Sequence, residues 1–293
     1  MASLACIPAY NVENTISTVV KDVSNYVDRV IVCDDGSIDE TSNEAKNAGA
    51  TVIKHEKNHG KGAALKSLFD YAKKTDFDIL ITIDGDGQFL AKDIPKLINP
   101  INNGCDVVIG SRIDEKSEMP SYRKFGNKVL DKMTSAASEL PFNDTQSGFR
   151  AYSKKAIEKI KFYSDGFASD SEILVSASEK GLKISEEKIN VRYDTGTKTS
   201  TRNPVSHSSD VITKLIELIA VKSPLKLLGI PGIVLFLFGL FYSGVVISIF
   251  NESGYFSVPS TLVALGSVVI GTLFILTAII LFTINVTRRG WLF

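Results

Sequence analysis

Residues 78–89, DILITIDGDGQF, run from an apolar segment straight into Asp84 and Asp86, with glycines between them and Gln88 just beyond. The apolar part is short, rich in Ile and Leu and closed by turn residues, so it reads as a buried strand that delivers two carboxylates at its end. Similar runs recur as LACIPA (4–9), RVIVCDD (29–35), TVIKH (51–55) and DVVIGSR (106–112). Between them, residues 14–23, 39–48, 61–73 and 92–101 carry helical patterns, with Pro95 placed in a first turn where proline is tolerated. Strands alternating with helices predict a layered α/β domain with a mainly parallel sheet.

Three of these strands end in polar clusters: PAYN (8–11), DDGSIDET (34–41) and DGDGQ (84–88). Ligands of open α/β sheets sit outside the carboxyl ends of the strands, so the clusters are expected to converge on one crevice. Gly36 permits a tight turn and Asp39 can cap the following helix. Asp34 and Asp35 suit the hydroxyls and imino group of a nucleoside, turn formation being the other role open to them. Asp84, Asp86 and Gln88 are hard oxygen donors at close spacing. The glycine and terminal Glu of an EF-hand are missing, and the stretch follows a strand instead of a helix. A strand-end D-x-D with open positions suits Mg²⁺ or Mn²⁺ bridging a diphosphate.

The 33 basic and 33 acidic residues balance, which gives no electrostatic footprint for nucleic acid. Cys6, Cys33 and Cys105 lie in apolar runs far apart in sequence, with neither zinc spacing nor a disulfide framework, and are expected as buried free thiols in a reducing compartment. His55, His59 and His207 show no metal spacing and read as loop residues. The first ten residues lack the basic start and apolar stretch of a signal peptide. The last quarter differs in kind: residues 225–250 and 258–286 are almost uncharged and each exceeds the roughly 20 residues that cross a hydrocarbon core. Lys214, Lys222 and Lys226 before the first run, and Arg288 and Arg289 after the second, predict a transmembrane hairpin with both ends cytoplasmic. Just upstream, Val211, Ile212, Leu215, Ile216, Ile219 and Ala220 fall at helical spacing, as in an amphipathic helix lying in the membrane interface. The expected organisation is a catalytic domain over 1–205, an interfacial helix over 206–224 and the hairpin over 225–293.

In this order, IPAYNVE (7–13), DDGSIDET (34–41), NHGKGAAL (58–65), DGDGQ (84–88), GSR (110–112) and DTQSGFRA (144–151) resemble family 2 glycosyltransferases of the GT-A fold. Within that family the set is most similar to dolichyl-phosphate mannose and glucose synthases, over about residues 3–195. The resemblance implies a GT-A nucleotide-diphospho-sugar transferase domain, with a nucleotide sugar as donor and dolichyl or polyprenyl phosphate as acceptor. It puts Pro8, Tyr10, Glu13, Asp34, Asp35, Lys61 and Asp84 around the donor, Asp84, Asp86 and Gln88 on the metal, and Arg112, Arg123 and Asn127 on the acceptor phosphate. Two departures stand out. Val12 follows the Asn where mannose-transferring members carry Glu, with Glu13 one place on, and the loop those members write R-x-x-G-x-S-K is RYDTGTKTST (192–201) here, so Arg192 and Lys198 both remain candidates for the phosphates.

A polyprenyl phosphate is already anionic at neutral pH, so inverting transfer to it needs no general base. Such a site has to neutralise the departing nucleoside diphosphate and bring two anions together. Arg112, Arg123 and Arg150 fit that task through the bidentate match of guanidinium to phosphate. Lys61, flanked by glycines at a helix start, can approach a phosphate too. Were the acceptor a sugar hydroxyl, Asp144, Asp170 or Glu172 would be the candidate base. The expected activity is therefore transfer of a hexose from GDP-mannose or a UDP-sugar to a lipid phosphate on the cytoplasmic face of the cell membrane, or of the endoplasmic reticulum in a eukaryote. The alternatives are a glycosyltransferase using a sugar hydroxyl, and a membrane-anchored protein that binds nucleotide sugars without turnover. A processive polysaccharide synthase would carry Q-x-x-R-W, whereas the one tryptophan, Trp291, lies in the tail.

Overall fold

The computed structural model describes residues 2–112, 131, 134–135, 143–166, 168–192 and 224–290, the last six of these by backbone alone. The chain separates into two compact units, Met1–Leu215 and Ile216–Phe293.

The first unit is built on a seven-stranded sheet of order β3-β2-β1-β4-β6-β5-β7. Its strands are β1 (Ser3–Ala9), β2 (Arg29–Asp34), β3 (Thr51–Lys54), β4 (Ile79–Thr82), β5 (Val107–Ser111), β6 (Arg150–Ser153) and β7 (Ile184–Lys188). All pairings are parallel except those of β6, which runs antiparallel between β4 and β5. Beyond β1 the chain builds outward through β2 and β3, then returns to place β4 on the other side of β1. That reversal between β1 and β4 opens a crevice at their carboxyl ends, where PAYN and DGDGQ emerge.

Alternation along β1 shows why these runs are apolar throughout. Ala5, Ile7 and Ala9 face one core with Ile16, Val20, Ile94 and Leu97, while Leu4 and Cys6 face another with Leu65, Leu68, Phe69 and Ile157. A sheet covered on both faces has no solvent side to mark with polar residues. Helix α1 (Glu13–Ser24) buries Ile16, Val19, Val20 and Val23, the i, i+3, i+4, i+7 stripe of an amphipathic helix. Each such aliphatic side chain contributes about 1.5–3 kcal/mol of burial. Helix α2 (Thr41–Asn47) begins two residues later than expected. The N-cap is Glu40 and not the expected Asp39, which stays one residue outside and accepts the Thr41 N–H at 3.1 Å, while its other oxygen accepts the Glu13 N–H at 3.2 Å, so one carboxylate ties two helix starts together. Helices α3 (Lys61–Lys73), α4 (Ile94–Asn102, with Pro95 in its first turn), α5 (Lys154–Lys159) and α6 (Ala168–Glu179) complete the layers. Cys6 and Cys33 are buried, Cys105 is partly so, and all three are free thiols.

The second unit, as described from residue 224, is a hairpin: a π-helical turn, Leu225–Gly229, leads into α7 (Ile230–Ser253), and α8 (Val258–Gly290) returns. Gly254, at φ 64°, ends α7 in the left-handed conformation. The helices touch through small residues seven apart, Gly232 and Gly239 on one and Ala264, Gly271 and Ala278 on the other. A Cβ at Gly271 would lie 2.6 Å from the Phe236 nitrogen, so backbones meet directly, as in membrane helix pairs. Both helices are long and apolar enough to cross a membrane. The expected interfacial helix, 206–224, lies outside the described residues apart from Pro224.

Candidate active site

Asp84 and Asp86 follow β4 into the crevice. The Asp84 carboxylate meets the Lys61 ammonium, Oδ1 to Nζ 2.9 Å, and Lys61 also reaches Asp170 Oδ2 at 3.1 Å. Asp86 Oδ1 accepts the Gln88 N–H at 3.1 Å, a closure made possible by Gly87 at φ 75°. Burial, then the charge of Asp84, pushes the Asp86 carboxyl up to about 6, against the pull of the Gln88 N–H, Lys61 and Arg112. The Gln88 carbonyl accepts the backbone N–H of Arg192 at 2.9 Å, which fixes Arg192 beside this loop. Among the described residues no cluster of three His, Cys, Asp or Glu could hold a metal by itself. Two neighbouring carboxylates two residues apart, with oxygen donors only, fit a hard divalent cation that completes its shell with ligand oxygens and water.

The glycines around Lys61 serve packing. Gly60, at φ 100°, and Gly62 lie against the carbonyls of Asp165 and Ser164, where no Cβ fits, and the Asp165 carbonyl accepts the N–H groups of Gly62 (2.7 Å) and Ala63 (3.2 Å). The Gly62 and Ala63 amides at the start of α3 are thus satisfied within the protein, and the Lys61 ammonium reaches from the same turn to Asp84 and Asp170. Burial works against the Lys61 charge, yet Asp170 and then Asp84 outweigh it and hold the group above the ordinary lysine range. Gly148 completes the enclosure: a Cβ there would stand 2.5 Å from both Asp84 oxygens and 2.6 Å from Lys61 Nζ.

The two adjacent aspartates at the end of β2, both expected to face the donor, are both buried and already engaged. Asp34 is fully buried, and its oxygens accept the Ser37 N–H at 2.9 Å and the Ser42 hydroxyl, so it takes the turn-forming role rather than the ligand-facing one expected beside it. Asp35 accepts the N–H groups of His59 and, at 2.7 Å, Gly60, and pairs with His55 Nδ1 at 2.6 Å. His55 Nε2 in turn meets the Ser67 hydroxyl at 2.8 Å. Read from sequence only as a loop residue, as it is, His55 is also the brace of Asp35, and its place directly after β3, at the strand ends where the polar clusters gather, is the signal that was missed. Pro8 and Tyr10 are half-buried at the end of β1. Asn11, at φ 52°, accepts the Ile38 N–H and Glu13 accepts the Glu40 N–H, both at 3.0 Å, sewing PAYN to the loop after β2.

Arg112 and Arg150 are also paired. Arg112 grips Asp144 with Nε and Nη2, both at 2.7 Å, and adds its backbone N–H at 2.9 Å. Arg150, expected to face the acceptor, is instead completely buried at 0 % exposure in β6. It donates to the carbonyls of Asp170 (2.9 Å) and Thr145 (2.7 Å), so its physical task is to hold the segment after Asp144 against the start of α6. Asp131 accepts from the Thr145 N–H and hydroxyl, both 2.7 Å, and burial pushes its carboxyl up to about 6. Glu172 accepts the Ser164 N–H at 2.8 Å. Arg123, Asn127 and Lys198 lie outside the described residues.

Residues 4–161 match the family described as Glycosyl transferase family 2. The UDP-N-acetylglucosamine--dolichyl-phosphate N-acetylglucosaminyltransferase of Methanococcus voltae is 35% identical over 211 residues, 64% of this chain and 84% of that protein. The dolichyl-phosphate hexose transferase of Haloferax volcanii is 31% identical over 190 residues, 64% of this chain and 81% of that protein. A crystal structure of glucosyl-3-phosphoglycerate synthase from Mycobacterium tuberculosis, in complex with Mn²⁺, UDP and glucosyl-3-phosphoglycerate, superposes with a TM-score of 0.58 at 23% identity, covering 74% of this chain and 79% of that one. That likeness identifies the fold as GT-A. Strand-end carboxylates at a topological switch point, the ordered motifs and the family match agree: the chain is a glycosyltransferase and belongs to family 2.

Proposed function

We propose that this enzyme transfers a hexose or N-acetylhexosamine, with inversion, from a nucleotide sugar to dolichyl or polyprenyl phosphate at the cytoplasmic face of a membrane. The observation that carries the acceptor class is the state of the candidate bases. Asp144 is held by the Arg112 fork, Asp170 by Lys61 and Glu172 by the Ser164 N–H. A sugar hydroxyl needs a carboxylate with an oxygen turned toward it, whereas a phosphate monoester arrives ionised. The names of the relatives support the same acceptor. A UDP-sugar is favoured over GDP-mannose, since one of these relatives is named for UDP-N-acetylglucosamine and the structural neighbour binds UDP.

Asp84, Asp86 and Gln88 are the residues proposed to hold Mg²⁺ or Mn²⁺. When bound, the cation supplies charge neutralisation for the departing diphosphate. Asp35, braced by His55, shapes the loop 55–60 that borders the nucleoside. Arg112, with Arg123 and Asn127, is assigned to the acceptor side, where guanidinium geometry suits a phosphate. The two apolar helices are assigned as membrane spans with both ends cytoplasmic, by the positive-inside bias. The test is incubation of the purified full chain with Mg²⁺ or Mn²⁺, a polyprenyl phosphate and each of several radiolabelled UDP-sugars and GDP-mannose, followed by lipid extraction. Label in an acid-labile lipid product is expected from a UDP-sugar. Label that enters only a glycan acceptor, with polyprenyl phosphate inert, would overturn the reading.

A further inference from the structure

Asp84 already has a cation. Lys61 Nζ stands 2.9 Å from its Oδ1 and 3.1 Å from Asp170 Oδ2, with the Lys61 side chain only 12% exposed. The enclosure is tight on a third side, where Gly148 leaves no room for a methyl group between itself, both Asp84 oxygens and the ammonium. Around this point four carboxylates, Asp84, Asp86, Asp144 and Asp170, interleave with three cations, Lys61, Arg112 and Arg150. A divalent ion entering alone meets an ammonium on the oxygen it needs, and the two repel at short range in a partly dry site. A divalent ion entering on a diphosphate brings the ammonium a new anionic partner. Asp170 is placed to keep hold of Lys61 while Asp84 changes hands, and Arg150 stands behind Asp170 at 4.0 Å. The Gly62 and Ala63 amides of α3 are committed to Asp165, and the Lys61 ammonium on the same turn is able to take a phosphate oxygen.

We infer that Lys61 is a built-in counter-ion for Asp84 that yields to a divalent cation only when a diphosphate arrives with it, so the site takes metal and nucleotide as a pair and takes free metal poorly. This rests on the proposed reading of Asp84 and Asp86 as the residues that hold the cation. It assigns Lys61 the coupling between the two ligands, a property that is read by binding and not by turnover.

The experiment is Mn²⁺ binding to the full chain in detergent, followed by the electron paramagnetic resonance signal of free Mn²⁺, with and without UDP. In the wild type, UDP is expected to tighten Mn²⁺ by about tenfold or more. Lys61→Met is expected to tighten Mn²⁺ without UDP by about tenfold and to lose most of the gain from UDP. Lys61→Arg keeps the charge and is expected to keep the coupling. If Lys61→Met does not fold, because Asp170 is left buried, the double variant Lys61→Met/Asp170→Asn is read in the same way. Mn²⁺ binding to the Met variants that is no tighter than wild type without UDP, or a UDP gain equal in all proteins, overturns the inference while leaving the metal site standing. Wild-type protein that binds Mn²⁺ in neither condition, or an Asp86→Asn variant that binds it like wild type, overturns the metal reading and the inference with it.

Discussion

Gly148→Ala places a methyl carbon 2.5 Å from both oxygens of Asp84 and 2.6 Å from Lys61 Nζ. Non-bonded atoms settle at about 3.5 Å, so something must move by roughly 1 Å. The backbone of Gly148 is poorly placed to retreat: its carbonyl accepts the Thr82 hydroxyl at 2.9 Å, and the next carbonyl, of Phe149, accepts the Gly110 N–H at 2.8 Å. Asp84 and Lys61 must therefore give way. Overpacking of this kind costs about 1–3 kcal/mol, a loss of several degrees in melting temperature for a unit of this size. The effect on chemistry is larger in proportion, because a 1 Å displacement of a positioned group costs on the order of 10²-fold in rate. Differential scanning fluorimetry and kcat/KM with a UDP-sugar and polyprenyl phosphate read the two effects separately. Gly166→Ala, where an added methyl meets nothing within 4 Å, is the control. A Gly148→Ala enzyme within twofold of wild type in kcat/KM would show that the Asp84–Lys61 pair has no part in turnover.

Arg150→Met removes the donor to two buried carbonyls and a partner of Asp170, and is expected to destabilise the fold by about 3–5 kcal/mol; Arg150→Lys should not rescue it, since one ammonium does not span both carbonyls, and a lysine variant melting with the wild type would contradict this. The Asp86 carboxyl, raised to about 6 by burial and Asp84, lies above the unfolded value of about 3.9, so the folded protein holds the extra proton between them. Its contribution to stability in the absence of divalent cations is therefore full below about pH 4 and lost as pH rises through about 6. Urea midpoints across that window should show an added downward slope that Asp86→Asn abolishes, and identical slopes in the two proteins would refute the assignment. Removing residues from Leu225 onward should depress transfer to a long-chain acceptor far more than to a short, water-soluble analogue, and equal losses would mean that the hairpin acts by stabilising the catalytic unit.

Strands β1 to β5 are legible in the sequence because each is an apolar run between turn residues. β6 and β7 are not. β6 has four residues and opens on a charged Arg150, and β7, ISEEK, is half-exposed at the edge of the sheet, so neither shows a period or a continuous apolar run. Within the site, residue type identified the groups that gather at the strand ends but not which of them are already engaged. Asp34 and Asp35 are the same residue in adjacent positions, and both are taken up by N–H and hydroxyl donors from loops 37–42 and 55–60. Arg150 looks like a phosphate ligand in SGFR and proves to be a buried brace, because the antiparallel insertion of β6 carries it inside the sheet. G-K-G resembles a phosphate-cradling loop, yet its glycines answer to the Asp165 carbonyl, a contact a hundred residues away in sequence.

The hairpin and the proposed acceptor bear on each other through solvent physics. In α7 and α8 the side chains of Leu237, Phe241, Leu273 and Ile280 are exposed around a narrow seam of glycine and alanine. Two helices joined by so small a seam bury little apolar area against each other, so water gives them no reason to stay paired, whereas in lipid close backbone contact is the ordinary basis of helix association. At 1.5 Å per residue, the 29 residues of Leu225–Ser253 extend about 43 Å against a hydrocarbon thickness of about 30 Å, which leaves turns to lie at the interface or to be taken up by tilt. On the proposed reading, an enzyme tethered by such spans would work close to the headgroups. A free sugar acceptor gains nothing from that confinement. A polyprenyl phosphate, with its tail in the bilayer and its charge at the surface, is brought to a high effective concentration by it. The anionic headgroup also needs no base, which matches a crevice whose candidate bases, Asp144, Asp170 and Glu172, are already engaged.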